Sequence, residues 1–334
     1  MLSRNNRIPA TFSILTVSLA ALAVHAQQPG QKAASQAPED VSQVFKVDTR
    51  LVVCNAIVVD RNGHLVTDLK QSNFAVRENG QPQAIRVFKR EDVPVSMGLV
   101  IDNSGSMRSK RAKVAAAALA LVKDSNKDDE VFVVNFNDNA YLDLPHKKDF
   151  TSDISEMEEA LIRIDSSGGT AMRDAIRMSI DHLREKAHKS KKVLVVVTDG
   201  NDNSSVINLE DLIRSSQQSE VLIYAVGLLS EEEKREAARA KKDLSVLTES
   251  TGGESFFPKD ISEVERIAHQ VAHDIRSQYT IEYSPSNVAM DGSYRRIQVS
   301  VNAPGKLRVR TRSGYYAAPD AVTPPRGSNS LISH

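Results

Sequence analysis

Apolar positions change their period twice along the chain. From residue 45 to 92 they fall in short runs: residues 49–60 are rich in β-branched side chains, and residues 74–78 and 84–88 flank Asn79-Gly80. Asn-Gly tolerates the positive φ of a tight turn. This N-terminal flank therefore predicts three or four antiparallel strands, too few for a large core of their own. From 93 to 277 strands alternate with helices. Continuous apolar runs at 95–101, 131–136, 193–198 and 221–226 predict strands buried on both faces. Ile154, Met157, Leu161 and Ile164 recur at helical spacing, as do Met172, Ile176, Ile180 and Leu183; Ile261, Val264, Ala268, Val271 and Ile275 mark a last helix. The alternation predicts an α/β class: a doubly wound, mostly parallel sheet with helices on both sides. Residues 141–144 fit a short antiparallel edge strand. Beyond 277 the alternation stops, and 279–283, 295–301 and 307–311 predict strands separated by Asp291-Gly292 and Pro304-Gly305 turns. Each flank (45–92 and 278–317) is small alone. The expectation is that they pair into one small β-sandwich, with the α/β domain of residues 93–277 inserted between its halves.

The ends of the chain read differently. Arg4 and Arg7 precede an uncharged stretch, residues 8–24, and small residues close it at Val24-His25-Ala26. That order predicts a signal peptide over residues 1–26; its apolar core is short of the roughly 20 residues of a membrane span, which leaves an uncleaved anchor as the alternative. Gln27 and Gln28 follow with no cysteine, which excludes a lipid-anchored lipoprotein. Residues 27–44 are rich in Gln, Ala, Ser and Pro and predict a flexible leader; residues 318–334 predict a flexible tail. No later stretch is long and apolar enough to span a bilayer, so export to the periplasm or outside the cell is expected.

Composition narrows the chemistry. The 334 residues carry 43 basic and 43 acidic side chains, and losing Arg4 and Arg7 leaves 41 against 43, a net charge of −2. Nucleic acid, which calls for a strongly basic face, has no support. With 40% hydrophobic and 26% charged residues the chain belongs with globular proteins rather than disordered ones. Cys54 is the single cysteine, so an intramolecular disulfide and a cysteine zinc cluster are both excluded. Within its apolar run it reads as a small buried hydrophobe.

The informative stretch is Gly98-Leu99-Val100-Ile101-Asp102-Asn103-Ser104-Gly105-Ser106-Met107. A buried strand ends in a carboxylate, and two hydroxyls two residues apart follow in a turn that opens a helix. Ligands of open α/β sheets bind at such carboxyl ends. Ser166-Ser167-Gly168-Gly169-Thr170 sets a hydroxyl before another helix, and the strand 193–198 runs into Asp199-Gly200. Oxygens from Asp102, Ser104, Ser106, Thr170 and Asp199 would suit a hard cation, Mg²⁺ or Mn²⁺, with Ca²⁺ the remaining candidate. With the carboxylates acting only through water, the ion stays poorly neutralised and attracts an outside Asp or Glu. The competing reading is that the serines cap a helix and the acids close turns, but two carboxylates converging without a cation repel.

Asp102-x-Ser104-x-Ser106 with Thr170 and Asp199 resembles the metal-ion-dependent adhesion site of von Willebrand factor type A domains. The resemblance spans about residues 93–277 and includes Asn135-Phe136-Asn137-Asp138 and Thr251-Gly252-Gly253. It implies that Ser104, Ser106 and Thr170 coordinate a metal directly, and that Asp102 and Asp199 act through bridging waters. The flanks, with Glu78-Asn79-Gly80 and Arg312-Ser313-Gly314-Tyr315-Tyr316, resemble exported bacterial VWFA-related proteins.

Enzymatic readings are weaker. The Ser104 stretch lacks the G-x-S-x-G elbow of a nucleophilic serine. An aspartyl-phosphate enzyme would want a second Asp where Ser104 stands. The turn is not a P-loop, so no nucleotide is expected. His269 and His273 stand four apart, but Gln270 replaces the Glu of a zinc protease. Arg108, Lys110, Arg111 and Lys113 form either a solvated helix face or a ring that steers an acidic partner to the metal. The expected function is metal-dependent capture of a protein ligand presenting an acidic side chain, without catalysis. The alternatives are a scaffold of an envelope assembly and, among enzymes, a phosphoryl or acyl transferase.

Overall fold

The computed structural model describes residues 51–317, except 146–147, 164 and 230–231. The expected signal peptide, leader and tail lie outside the described residues. Two layers of helices enclose a six-stranded sheet of β5 (Val95–Asp102), β6 (Glu130–Phe136), β7 (Ala140–Leu142), β8 (Lys191–Thr198), β9 (Val221–Gly227) and β10 (Ser255–Phe256), in the order β10-β9-β8-β5-β6-β7. All pairings are parallel except β6 with β7. All eight residues of β5 are buried, as a central strand covered on both faces requires. Gly98 lies at its middle because a Cβ there would come within 2.4 Å of the Phe132 ring and 2.5 Å of the Leu194 side chain.

One helical layer holds α1 (Arg111–Asp124), α2 (Ile154–Ile162) and α6 (Val264–Arg276). In the other are α3 (Met172–Lys186), α4 (Leu209–Gln218) and α5 (Lys234–Thr251). Val114, Ala117, Ala118 and Leu121 of α1 meet Val264, Ala268 and Val271 of α6 over Leu99, Ile101, Val195 and Val197. Asp153 and Asn208 cap α2 and α4 by accepting the backbone N–H of Ser155 and Asp211. Gly252 ends α5 with φ +90°, the left-handed C-terminal stop that glycine supplies.

The flanks contribute β1 (Val52–Val59), β2 (Phe74–Glu78), β3 (Gln81–Gln83), β4 (Ile85–Lys89), β11 (Tyr279–Tyr283), β12 (Tyr294–Val301), β13 (Arg308–Arg310) and β14 (Gly314–Tyr316). They form two sheets, β13-β1-β11-β4 and β14-β12-β2-β3, and each mixes strands from both sides of the α/β unit. Cys54, Ala56 and Val58 share one core with Phe74, Val76, Tyr279, Ile281 and Ile297. The hydroxyls of Tyr283 and Tyr315 both donate to Oε2 of buried Glu78, at 2.7 and 3.0 Å.

Arginines in and just after β13 bind the sandwich to the α/β unit. Arg310 donates to both Glu254 and Asp274, while Arg312 donates to Glu220 at 2.9 Å. Nearby, Gly253 permits an approach that no other residue could make, since its Cβ would lie 1.9 Å from the Ile223 carbonyl oxygen. Gly253→Ala is expected to destabilise the protein by about 2–3 kcal/mol, because backbone cannot yield as a side-chain tip can. Urea unfolding of the two proteins measures the difference.

Candidate metal centre

The chain leaves β5 toward β6 and later returns to add β8 and β9 on the other side of β5. The carboxyl ends of β5 and β8 are thus the switch point of the sheet, where ligands of this architecture bind. Ile101 pairs with Val197 there, which sets Asp102 beside Thr198. Asp102 is buried, and its carboxylate is fixed from two sides. Oδ1 accepts the Ser104 N–H at 2.7 Å, and Oδ2 accepts the Thr198 hydroxyl at 2.6 Å. Burial pushes the Asp102 carboxyl up to about 6, against the lowering effect of these hydrogen bonds; the nearby Asp199 adds to the rise.

The two serine hydroxyl oxygens stand 3.2 Å apart, and Ser106 Oγ donates to Asp199 Oδ1 at 2.8 Å. Thr170 arrives on the 166–170 loop. Its N–H donates to Asn203 Oδ1 at 2.9 Å, and its carbonyl accepts the N–H groups of Asn203 and Ser204. The glycines before it sit close to polar side-chain tips. A Cβ on Gly168 would fall 2.0 Å from Asp138 Oδ2, and one on Gly169 2.4 Å from Ser204 Oγ. Gly168 also has φ +76°. Ser104, Ser106 and Thr170 line a pocket of about 280 Å³ together with Asn201, Asn203, Glu232 and Glu236. Burial and the charges of Asp199 and Glu236 raise the Glu232 carboxyl above its ordinary range.

The two serine hydroxyls have a spacing that suits a small hard cation. Two oxygens bound to one Mg²⁺ at about 2.1 Å in octahedral geometry lie roughly 3.0 Å apart, close to the serine separation. Asp102 and Asp199 supply negative charge behind the hydroxyls. Among the described residues no group of three His, Cys, Asp or Glu side chains could hold a metal; a cation at the switch point depends on the hydroxyls.

Of the four basic residues, Arg108 and Lys113 are exposed, Arg111 is half-buried and Lys110 is buried. Arg108 donates to the Ser166 carbonyl at 3.0 Å, and Arg111 donates to the Ile162 carbonyl and lies 3.5 Å from Asp165. Arg108 braces the loop that carries Thr170, and Arg111 the end of α2 and Asp165 just before that loop. Lys110 turns inward, its side chain 9% exposed, and its Nζ lies 2.7 Å from Asp199 Oδ2. Thr198, Asn203, Glu232 and Glu236 escaped sequence reasoning. Thr198 adjoins Asp199 in the Thr-Asp-Gly stretch, and its place at a strand end was the available signal. His269 pairs with Asp124 on the exposed face of α6, away from this pocket.

Two curated relatives are similar to part of the chain. Mouse (Mus musculus) integrin alpha-11 is 33% identical over 106 residues, 30% of this chain and 8% of that protein. Mouse inter-alpha-trypsin inhibitor heavy chain H2 is 25% identical over 152 residues, 41% of this chain and 16% of that protein. The chain therefore spans less than a fifth of the length of either. A solved structure, von Willebrand factor type A from Catenulispora acidiphila, is 16% identical, with a TM-score of 0.49 over 80% of this chain and 75% of that chain. The family model described as von Willebrand factor type A domain matches residues 97–270, just over half of the chain, which includes every residue of the pocket. The chain belongs to the von Willebrand factor type A domain family.

Proposed function

We propose that this protein is an exported binding module that captures an Asp or Glu side chain of a protein partner through a divalent cation. The observation that carries this reading is the pair of serine hydroxyls, 3.2 Å apart, opening onto one pocket with Thr170. Ser104, Ser106 and Thr170 would hold the ion, with Asp102 and Asp199 behind them; Mg²⁺ or Mn²⁺ suits so compact a set better than Ca²⁺, which takes more and longer contacts. The bound cation would supply attraction for one further anionic oxygen. The residues of the chain do the rest. Ser104 N–H and Thr198 hold Asp102 in place, Asp138 and Asn203 fix the glycine loop, and Glu232 and Glu236 at the rim repel anions that do not reach the cation.

This reading assigns the pocket to binding rather than to catalysis. Export rests on residues 1–26; among the described residues no helix is long and apolar enough to cross a membrane. Calorimetric titration of MgCl₂ into the EDTA-stripped protein is expected to show one binding site. No heat and no protection against thermal unfolding would overturn the reading. Capture of an envelope protein that persists in EDTA would instead favour the scaffold role.

A further inference from the structure

Lys110 stands where a lysine is held only against opposition. It is the N-cap of the fourteen-residue helix α1, and its side chain is 9% exposed. The N-terminal end of a helix favours anions over cations, and burial disfavours an ammonium. Neither the first turn of α1 nor the 3₁₀ turn before it carries an acid. One compensating charge stands beside Ser106 at the end of β8. Asp199, 89 residues away in sequence, accepts from Nζ through Oδ2 at 2.7 Å. Its other oxygen accepts from Ser106. Both oxygens of one of the site's two buried carboxylates are thus engaged, one by a hydroxyl that would hold the metal and one by a charge of the same sign as the metal.

The surrounding groups sharpen this arrangement. Asp102 is held by a backbone N–H and a hydroxyl. Glu236 is held at the rim by the Asn201 amide at 3.0 Å. Glu232 feels the fields of Asp199, Glu236 and Lys110. The pocket is rich in carboxylates, and the ammonium of Lys110 offsets their repulsion before any other cation arrives.

We infer that Lys110 is a built-in counter-cation that competes with the divalent ion for Asp199, keeping the pocket assembled when metal is absent and holding metal affinity low. This rests on the metal reading above and concerns its regulation. A divalent ion entering the pocket shares Asp199 with a like charge, so loading becomes responsive to the ion's concentration. An acidic ligand that adds negative charge would tighten the ion's hold, and by reciprocity the ion would tighten the ligand's.

The test is MgCl₂ calorimetry on the whole chain, unaltered and with Lys110→Met or Lys110→Arg, together with thermal unfolding in EDTA. Lys110→Met keeps an unbranched apolar stem and removes the charge. It is expected to bind Mg²⁺ at least tenfold more tightly, to unfold at a lower temperature in EDTA, and to gain more from added Mg²⁺ than the unaltered protein does. Lys110→Arg is expected to stay within threefold of the unaltered affinity. A merely structural lysine gives the opposite pattern, because loosened loops lower stability and affinity together. Equal or weaker Mg²⁺ binding by folded Lys110→Met therefore overturns the inference while the metal reading stands. If the unaltered protein itself binds no Mg²⁺, the metal reading fails first and takes this one with it. Should Lys110→Met not fold, the lysine ammonium resonance of Lys110 in the unaltered protein decides by NMR. It is expected to shift during Mg²⁺ titration with the calorimetric midpoint, and a resonance unmoved at saturation overturns the competition.

Discussion

Thr170→Ala is expected to weaken Mg²⁺ binding by at least about a hundredfold while the metal-free protein unfolds within a few degrees of the unaltered one. Partners that merely orient a metal's ligands are worth about 10- to 100-fold in affinity, so loss of a direct ligand starts at the upper end. A hundredfold corresponds to about 2.7 kcal/mol. The fold is spared because the loop is held by the backbone of Thr170. Its N–H to Asn203 and its carbonyl to the N–H groups of Asn203 and Ser204 survive the substitution. Asp102→Asn offers the contrast. It removes a buried charge without removing a hydroxyl, and a loss within the 10- to 100-fold range is expected. Calorimetry with Mg²⁺ measures both, and a Thr170→Ala protein that binds like the unaltered one would remove Thr170 from the ligand set.

Arg310→Ala is expected to cost about 3–5 kcal/mol of stability, the usual penalty for removing one partner from a buried ionic cluster. The Arg310 side chain is 10% exposed and Asp274 3%, so the Asp274 carboxylate left behind has little access to water, whereas Glu254 keeps Arg308 at 3.4 Å. Burial already holds the carboxyls of Asp274 and Glu254 above their ordinary range, even with Arg310 opposing it. The pH dependence has a definite sign. A carboxyl raised in the native state keeps a proton that the unfolded chain has released, so its contribution is present at low pH and lost as pH rises through the folded value. Without Arg310 both carboxyls rise further, and the penalty is expected to be larger at pH 8 than at pH 5. Urea unfolding at the two pH values measures it. A loss under about 1 kcal/mol at pH 8 would place these contacts among solvent-screened surface pairs.

The central sheet was legible because strands buried on both faces leave continuous apolar runs, as 193–198 and 221–226 do within β8 and β9. Elements with weaker apolar marking were missed. Helix α5 buries Ala240, Leu244 and Leu247 amid a largely charged and polar sequence, and β3 is Gln-Pro-Gln. Strand β14, only three residues long, takes its place from pairing with β12. At the site, Asp102, Ser104, Ser106, Thr170 and Asp199 could be grouped in advance because each stands at or just beyond a strand end or before a helix. The direction of Lys110 could not be read from its neighbours alone. Only tertiary structure brings Asp199 to both Ser106 and Lys110. Asn203, Glu232 and Glu236 reach the pocket from the loop after β8 and from the approach to and first turn of α5, segments whose polar composition marks nothing beyond exposure.

The insertion of the α/β unit between sandwich strands has a mechanical consequence. Its two connections adjoin each other, because Lys89 at the end of β4 faces Thr280 at the start of β11 in antiparallel register. Tension between a captured ligand and a tether on either end of the chain would enter through this strand pair. The hydrogen-bonded ladder of β4 and β11 would clamp both connections at one point, so the parallel sheet beneath the pocket would be pulled from a single root rather than stretched between its first and last strands.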